Sequence, residues 1–280
     1  MTSAAATGNI PLIGLGTYQL TGNTATEIVK HALRLGYRHI DTAQAYDNEA
    51  AVGHGILASG LPRAHVFVTT KVWPDRFSRP KLIQSVDDSL QKLGIDYIDL
   101  LLLHWPNPDV PLSETLEALM TVQNAGKTRF IGLSNFTIDL MQQAVEICGQ
   151  GKLITNQIEY HPYLNQDRVI QAAHDLDMMV TAYRPIAKGR IFQDETLSQI
   201  AQQHNKNAAQ VTLRWLIQQG IVAIPRSANP EHVSQNFDIF DFELSADEMA
   251  AISKLRGDRR LVSPEGLSPD WDEPQPAEAA

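Results

Sequence analysis

Eight times along this chain a short, almost uninterrupted apolar run gives way to a longer stretch whose apolar residues recur at helical spacing. The apolar runs lie around Gly14, up to Asp41, and at 66–71, 97–104, 130–135, 154–159, 178–184 and 221–227. Between them, helical spacing is read from Thr24, taken as an N-cap with Glu27 three residues on, to Gly36, then over 48–60, 80–93, 116–126, 140–148 and 169–176. Two further helical segments fill 197–220, divided near 205–207, and Ser245 with Glu248 predicts a capping box opening a last helix to about Leu255. Strands that are apolar on both faces need cover on both faces, which implies a parallel sheet with an outer helical layer. Eight such units are the number that closes a (β/α)8 TIM barrel, with an open doubly wound sheet as the alternative. The position of the unusual residues favours the barrel. Asp41, Lys71, His104, Asn135, Glu159, Arg184 and Ser227 all stand at strand C-terminal ends, and only a barrel brings those ends to one mouth.

At 280 residues the chain suits one α/β domain of the class α/β, spanning 1–271, with 257–271 expected as a loop over the mouth and 272–280 as a disordered tail. A net charge of −9 argues against nucleic acid or an anionic membrane as partner. No apolar run reaches the ~18 residues of a membrane span, and the first nine residues lack the basic start and apolar centre of a secretory signal. The expected location is cytoplasmic. Cys148 is the only cysteine, so neither an internal disulfide nor a cysteine-cluster metal site is available, and no metal is expected.

Two glycine patterns fail on inspection. Gly14-Leu15-Gly16 has Gln19 where a dinucleotide fingerprint needs its third glycine, and Gly132-Leu133-Ser134-Asn135-Phe136 has Phe136 where a nucleophile elbow needs glycine.

Chemistry concentrates in Asp41, Tyr46, Lys71 and His104, which come from the ends of adjacent strands. A tyrosine donates a proton to a carbonyl oxygen more readily as its pKa falls from ~10. A hundredfold gain in acidity requires ~2.7 kcal/mol, and one ammonium at ~4 Å in an effective dielectric of ~20 supplies about 4. Lys71 is therefore expected to lower Tyr46, with Asp41 holding the lysine charged and His104 bonding the substrate oxygen. The reaction implied is hydride addition to a carbonyl with Tyr46 as proton donor. Trp73 and Trp105 stand just beyond Lys71 and His104 and would set two large apolar faces beside the reacting carbon. At 224–236 a strand end with the cation Arg226 and the hydroxyl of Ser227 leads into a helix start, which suits an anion.

The segment from Gly36 to Gly53, Gly-Tyr-Arg-His-Ile-Asp-Thr-Ala-Gln-Ala-Tyr-Asp-Asn-Glu-Ala-Ala-Val-Gly, closely resembles the signature of the aldo-keto reductases. The resemblance runs from about Ile10 to Trp271. It implies Asp41, Tyr46, Lys71 and His104 as a catalytic tetrad and Trp73 and Trp105 as substrate-pocket walls. It also implies Ser134, Asn135 and Gln157 as partners of a nicotinamide carboxamide, and Tyr183 stacked on that ring. Arg226, Ser227, His232 and Asn236 correspond to the family segment that holds the adenosine end and its 2′-phosphate, implying NADP(H). Two departures weaken the expected discrimination and leave NAD(H) as a second cofactor: His232 replaces a usual cation, and Gln235 replaces a frequent glutamate. Arg184 replaces a usual serine, facing either the cofactor pyrophosphate or an anionic substrate. The residues 258–271 most resemble the bacterial branch of 2,5-diketo-D-gluconate reductases that also take methylglyoxal. The expected partner is a small-molecule carbonyl, and the expected state a monomer. Two other readings stay open: a non-catalytic NADP(H)-binding redox-sensing module, and a barrel enzyme using Lys71 as a Schiff base.

Overall fold

Leu100 and Leu102 point to one side of their strand and pack with Ile10, Ile154, Val222 and Ile224, whereas Leu101 and Leu103 point to the other and join a larger cluster with the helices. This period of two within a single apolar run is what a barrel strand needs, with one face filling the interior and the other lying under the helices. The computed structural model describes residues 10–272. Its strands are β1 (Leu15–Gly16), β2 (His39–Asp41), β3 (Phe67–Val72), β4 (Ile98–Leu103), β5 (Thr128–Ser134), β6 (Leu153–Glu159), β7 (Met179–Tyr183) and β8 (Val222–Ile224). Each pairs in parallel with the next in chain order. The ring closes where Gly14 N–H donates to Ala223 O at 2.9 Å, Ala223 N–H to Leu12 O at 2.8 Å and Gly16 N–H to Pro225 O at 2.9 Å. A Cβ on Gly16 would sit 2.9 Å from Ile224 O, so this seam needs glycine. The fold is the (β/α)8 barrel expected from the sequence.

The helices are α1 (Gly22–Leu35), α2 (Glu49–Ser59), α3 (Arg79–Leu93), α4 (Leu112–Asn124), α5 (Ile138–Cys148), α6 (Asp167–Asp175), α7 (Glu195–Gln203), α8 (Ala208–Gln218), α9 (Pro230–Phe237) and α10 (Ala246–Ser253). Ser245 and Glu248 form the expected capping box on α10, and a second box joins Asn207 to Gln210 at the start of α8. Two helix starts differ most from expectation. Helix α1 begins a turn earlier, capped by the Thr21 backbone, so Thr24 lies inside it and Glu27 pairs instead with Lys30 at 2.6 Å. Helix α4 begins at Leu112 rather than Leu116, because Pro111 and the polar first turn already start it. Gly53 lets α2 lie against the end of α3: a Cβ there would fall 2.1 Å from Leu93 O.

After α10 the chain crosses the mouth. Asp272, placed by the sequence in the terminal tail, accepts the Ile138 N–H at 3.1 Å and so meets the orphan donors at the start of α5. The rest of that expected tail, 273–280, lies outside the described residues.

Candidate active site

Strand register brings the four chemical groups together. Asp41 pairs with Thr69 across β2 and β3, and Lys71 with Leu102 across β3 and β4, so Asp41, Lys71 and the residue after β4, His104, reach the same end of the barrel. Lys71 is fully buried; its Nζ donates to Asp41 Oδ1 at 2.6 Å and to Thr42 O at 2.8 Å, and stands 3.5 Å from the Tyr46 hydroxyl. The second oxygen of Asp41 accepts from Gln157 Nε2 at 2.8 Å. Tyr46 closes a single turn, Gln44–Tyr46, after β2, and its ring meets Tyr18 at 5.1 Å and His104 at 5.7 Å.

The electrostatics correct one expectation. Tyr46 is held well above the ordinary tyrosine value, first by burial and then by the Asp41 carboxylate, with Arg184 opposing. The attraction of about 4 kcal/mol expected from a nearby ammonium left out the carboxylate paired to it, which gives back an amount of the same order and leaves desolvation to decide. Tyr46 is thus a protonated phenol at neutral pH, suited to give a proton rather than to take one. Burial lowers Lys71, with Asp41 opposing. Burial, then Lys71, holds His104 well below the usual imidazole range, so the ring is neutral.

A cavity of about 1240 Å³ opens over these groups. Asp41, Tyr46, His104, Trp73 and Trp105 line it, while Lys71 sits behind the first two. Trp73 meets His104 at 5.1 Å edge to face, and Trp105 meets Trp271 at 6.2 Å. Ser134, Asn135, Gln157, Tyr183, Arg184 and Arg226 line the same cavity; Ser227, His232 and Asn236, on the segment leading into and along α9, do not. Several of the polar groups already have protein partners. Ser134 Oγ donates to Gln157 O at 3.0 Å, Asn135 Nδ2 to His104 O at 2.9 Å, and Tyr183 hydroxyl to Asn135 Oδ1 at 2.8 Å. Asn135 adopts this role at a φ of 63°, a left-handed position that asparagine tolerates better than most residues. Arg226 donates to Tyr18 O and Gln19 O, both at 3.0 Å, tying the rim of β8 to the loop after β1.

Three kinds of residue escaped sequence reasoning. Gln44 accepts the Trp73 N–H at 3.3 Å and donates to Ser85 O at 3.0 Å, holding that wall in place. Tyr18 packs on the Tyr46 ring. Val262, Pro264 and Leu267 line the cavity from the C-terminal loop. Only the loop position of 257–271 hinted at the last group.

A buried Lys–Asp pair beside a protonated tyrosine and a neutral histidine, at the C-terminal mouth of a (β/α)8 barrel, defines an oxidoreductase site for carbonyl groups, and the chain belongs to the aldo/keto reductase family: the profile of that family matches residues 12–256. Among its relatives, the methylglyoxal reductase DkgB of Escherichia coli O157:H7 is 46% identical over 265 residues, covering 94% of this chain and 99% of the relative. A crystal structure assigned to a 2,5-diketo-D-gluconic acid reductase B superimposes with a TM-score of 0.92 at 48% identity, covering 95% of each chain. The Bombyx mori aldo-keto reductase, determined in complex with NADP, does so with a TM-score of 0.84 at 34% identity, covering 91% of this chain and 92% of that one. Among the described residues no helix is long and apolar enough to cross a membrane.

Proposed function

We propose that the protein reduces aldehydes and activated ketones or dicarbonyls, methylglyoxal and 2,5-diketo-D-gluconate among them, using NADPH, with Tyr46 as proton donor. The observation that carries this reading is the 3.5 Å approach of the buried, Asp41-paired Lys71 ammonium to the Tyr46 hydroxyl. The substrates are taken from the names of the relatives, and the cofactor from the NADP-bound silkworm structure.

The cavity's residues fit a nicotinamide dinucleotide. Gln157 and Asn135 offer amides and Ser134 a hydroxyl near the tetrad, Tyr183 offers an aromatic face, and Arg184, Lys188 and Arg226 bring cations to the same cavity. Ser227, His232 and Asn236 would extend this to the adenosine end. When bound, the nicotinamide supplies the hydride. The protein's residues do the rest. Trp73 and Trp105 hold the substrate and exclude water. The neutral His104 imidazole donates a hydrogen bond to the carbonyl oxygen, and Tyr46 gives its proton to that oxygen as charge develops there. Lys71 stabilises the tyrosinate left behind, and Asp41 keeps the lysine charged and aimed. The same reading takes 1–271 as one catalytic unit and the enzyme as a cytoplasmic monomer.

The test is absorbance at 340 nm with purified protein, NADPH or NADH, and a panel of aldehydes, ketones and dicarbonyls. Consumption faster with NADPH than NADH is expected. Absence of turnover with either cofactor across the panel overturns the reading in favour of a non-catalytic nucleotide-binding module.

A further inference from the structure

Glu159, the last residue of β6, is a fully buried carboxylate that the tetrad chemistry does not use. Two of its three side-chain partners come from a segment about a hundred residues away. Oε1 accepts the Leu261 N–H at 2.6 Å and His161 Nε2 at 2.9 Å, and Oε2 accepts the Val262 N–H at 2.8 Å. The neighbouring backbone repeats the attachment: Asn165 N–H donates to Gly257 O at 2.8 Å and Arg259 N–H to Tyr163 O at 3.2 Å, with an antiparallel bridge between Leu164 and Asp258. The C-terminal loop is thus laid against the segment after β6 and pinned there by one side chain.

Beyond this foot the loop arches over the mouth. Val262, Pro264 and Leu267 face the cavity. The far foot is Trp271, edge-on to Trp105 and 3.7 Å from the Arg260 guanidinium, followed by Asp272 on the start of α5. Two backbone N–H groups converging with an imidazole require an acceptor with two oxygens and no hydrogen of its own. A carboxylate meets that need, whereas an amide turns an NH2 against one of the donors.

We propose that Glu159 is a positioning residue for the substrate side of the site: by clamping the backbone at 261 and 262 it holds the C-terminal arch closed over the carbonyl compound. The proposal rests on the carbonyl reductase reading above. Its signature is selective. Substrate capture depends on the clamp, while proton transfer from Tyr46, which follows β2, and cofactor affinity do not: Gln157 shares β6 with Glu159, but its amide donates to Asp41 and not to Glu159.

Amide hydrogen exchange resolved to single residues tests the clamp in the wild-type protein. Leu261 and Val262 are expected to exchange about 100-fold slower than Glu265 and Gly266 at the crown of the arch. Equal rates in the wild type overturn the proposal, whether or not any variant folds and whether or not any carbonyl is turned over. In Glu159→Gln, one charge-assisted hydrogen bond becomes a donor–donor clash, so methylglyoxal KM is expected to rise about tenfold. The kcat should stay within about twofold, with NADPH Kd unchanged. A folded variant with unchanged KM, or one losing kcat and NADPH affinity together with KM, contradicts the positioning role. If the wild type reduces no carbonyl at all, the functional reading fails, and the exchange pattern still decides the clamp.

Discussion

Lys71 Nζ and Asp41 Oδ1 lie 2.6 Å apart with both side chains closed off from solvent. A buried pair of this kind is stabilising only while both members are present, since removing one strands the other charge at about 3–5 kcal/mol. Lys71→Met is therefore expected to lower unfolding free energy by roughly 3 kcal/mol, and Asp41→Asn combined with it to recover most of that loss. Chemical denaturation of the two single variants and the double variant measures the coupling; additive losses would show that the pair is not coupled.

Arg226 raises a sharper question than its sequence position did. Its guanidinium already donates to Tyr18 O and Gln19 O, so it has a structural task besides the proposed 2′-phosphate contact. Arg226→Ala is expected to weaken NADPH about tenfold or more, as loss of one charge-assisted contact implies, and NADH much less. Equal losses measured by fluorescence titration would assign Arg226 to holding the loop after β1 and not to the phosphate.

Much of this fold was legible because each barrel unit announces itself locally, as in the apolar run at 97–104, which holds β4 (Ile98–Leu103), or the Ser245–Glu248 box. That Asp41, Tyr46, Lys71 and His104 meet at one mouth was legible for the same reason: Asp41 ends β2 with Tyr46 in the turn after it, and Lys71 and His104 stand at the ends of the next two strands. What was hidden depends on partners distant in sequence. The effect of Asp41 on Tyr46 needed the Lys71 contact to be seen. Glu159 needed Leu261 and Val262. Ser134 and Asn135, read from the sequence as nicotinamide partners, proved also to donate to Gln157 O and His104 O, with Asn135 Oδ1 accepting from the Tyr183 hydroxyl. The early start of α1 was missed because Thr24 and Glu27 carry the spacing of a capping box without being one.

His39 fills the barrel interior, bonded through Nε2 to Thr69 Oγ1 at 3.0 Å, and burial holds its pKa down to about 4. The unfolded chain, with an ordinary imidazole near 6.5, then binds more protons than the native one between about pH 6.5 and 4. Stability is therefore full above that window and falls as pH drops through it, by on the order of 3 kcal/mol from this residue. Denaturation midpoints in His39→Gln should fall less steeply than wild type over that range. Parallel profiles would remove His39 as the cause.

Asp99 lies at the opposite end of the barrel. Buried at the start of β4, it accepts from Arg63 at 2.6 Å, Arg129 at 2.9 Å and Val68 N–H at 3.0 Å. This end of a barrel serves stability rather than chemistry. Asp99→Asn is expected to cost about 3 kcal/mol of stability and to leave kcat unchanged for the fraction that is folded. A large fall in kcat at full folding would break this separation of the two faces.

The most direct test of Tyr46 as proton donor is a single-turnover measurement with Tyr46→Phe, following NADPH oxidation by methylglyoxal at 340 nm beside a fluorescence titration of NADPH binding. The expected result is a fall in the chemical rate of about 10²–10⁴-fold, with NADPH Kd within about twofold of wild type. A rate within about threefold of wild type, far inside the range for loss of a general acid, would contradict the role assigned to Tyr46.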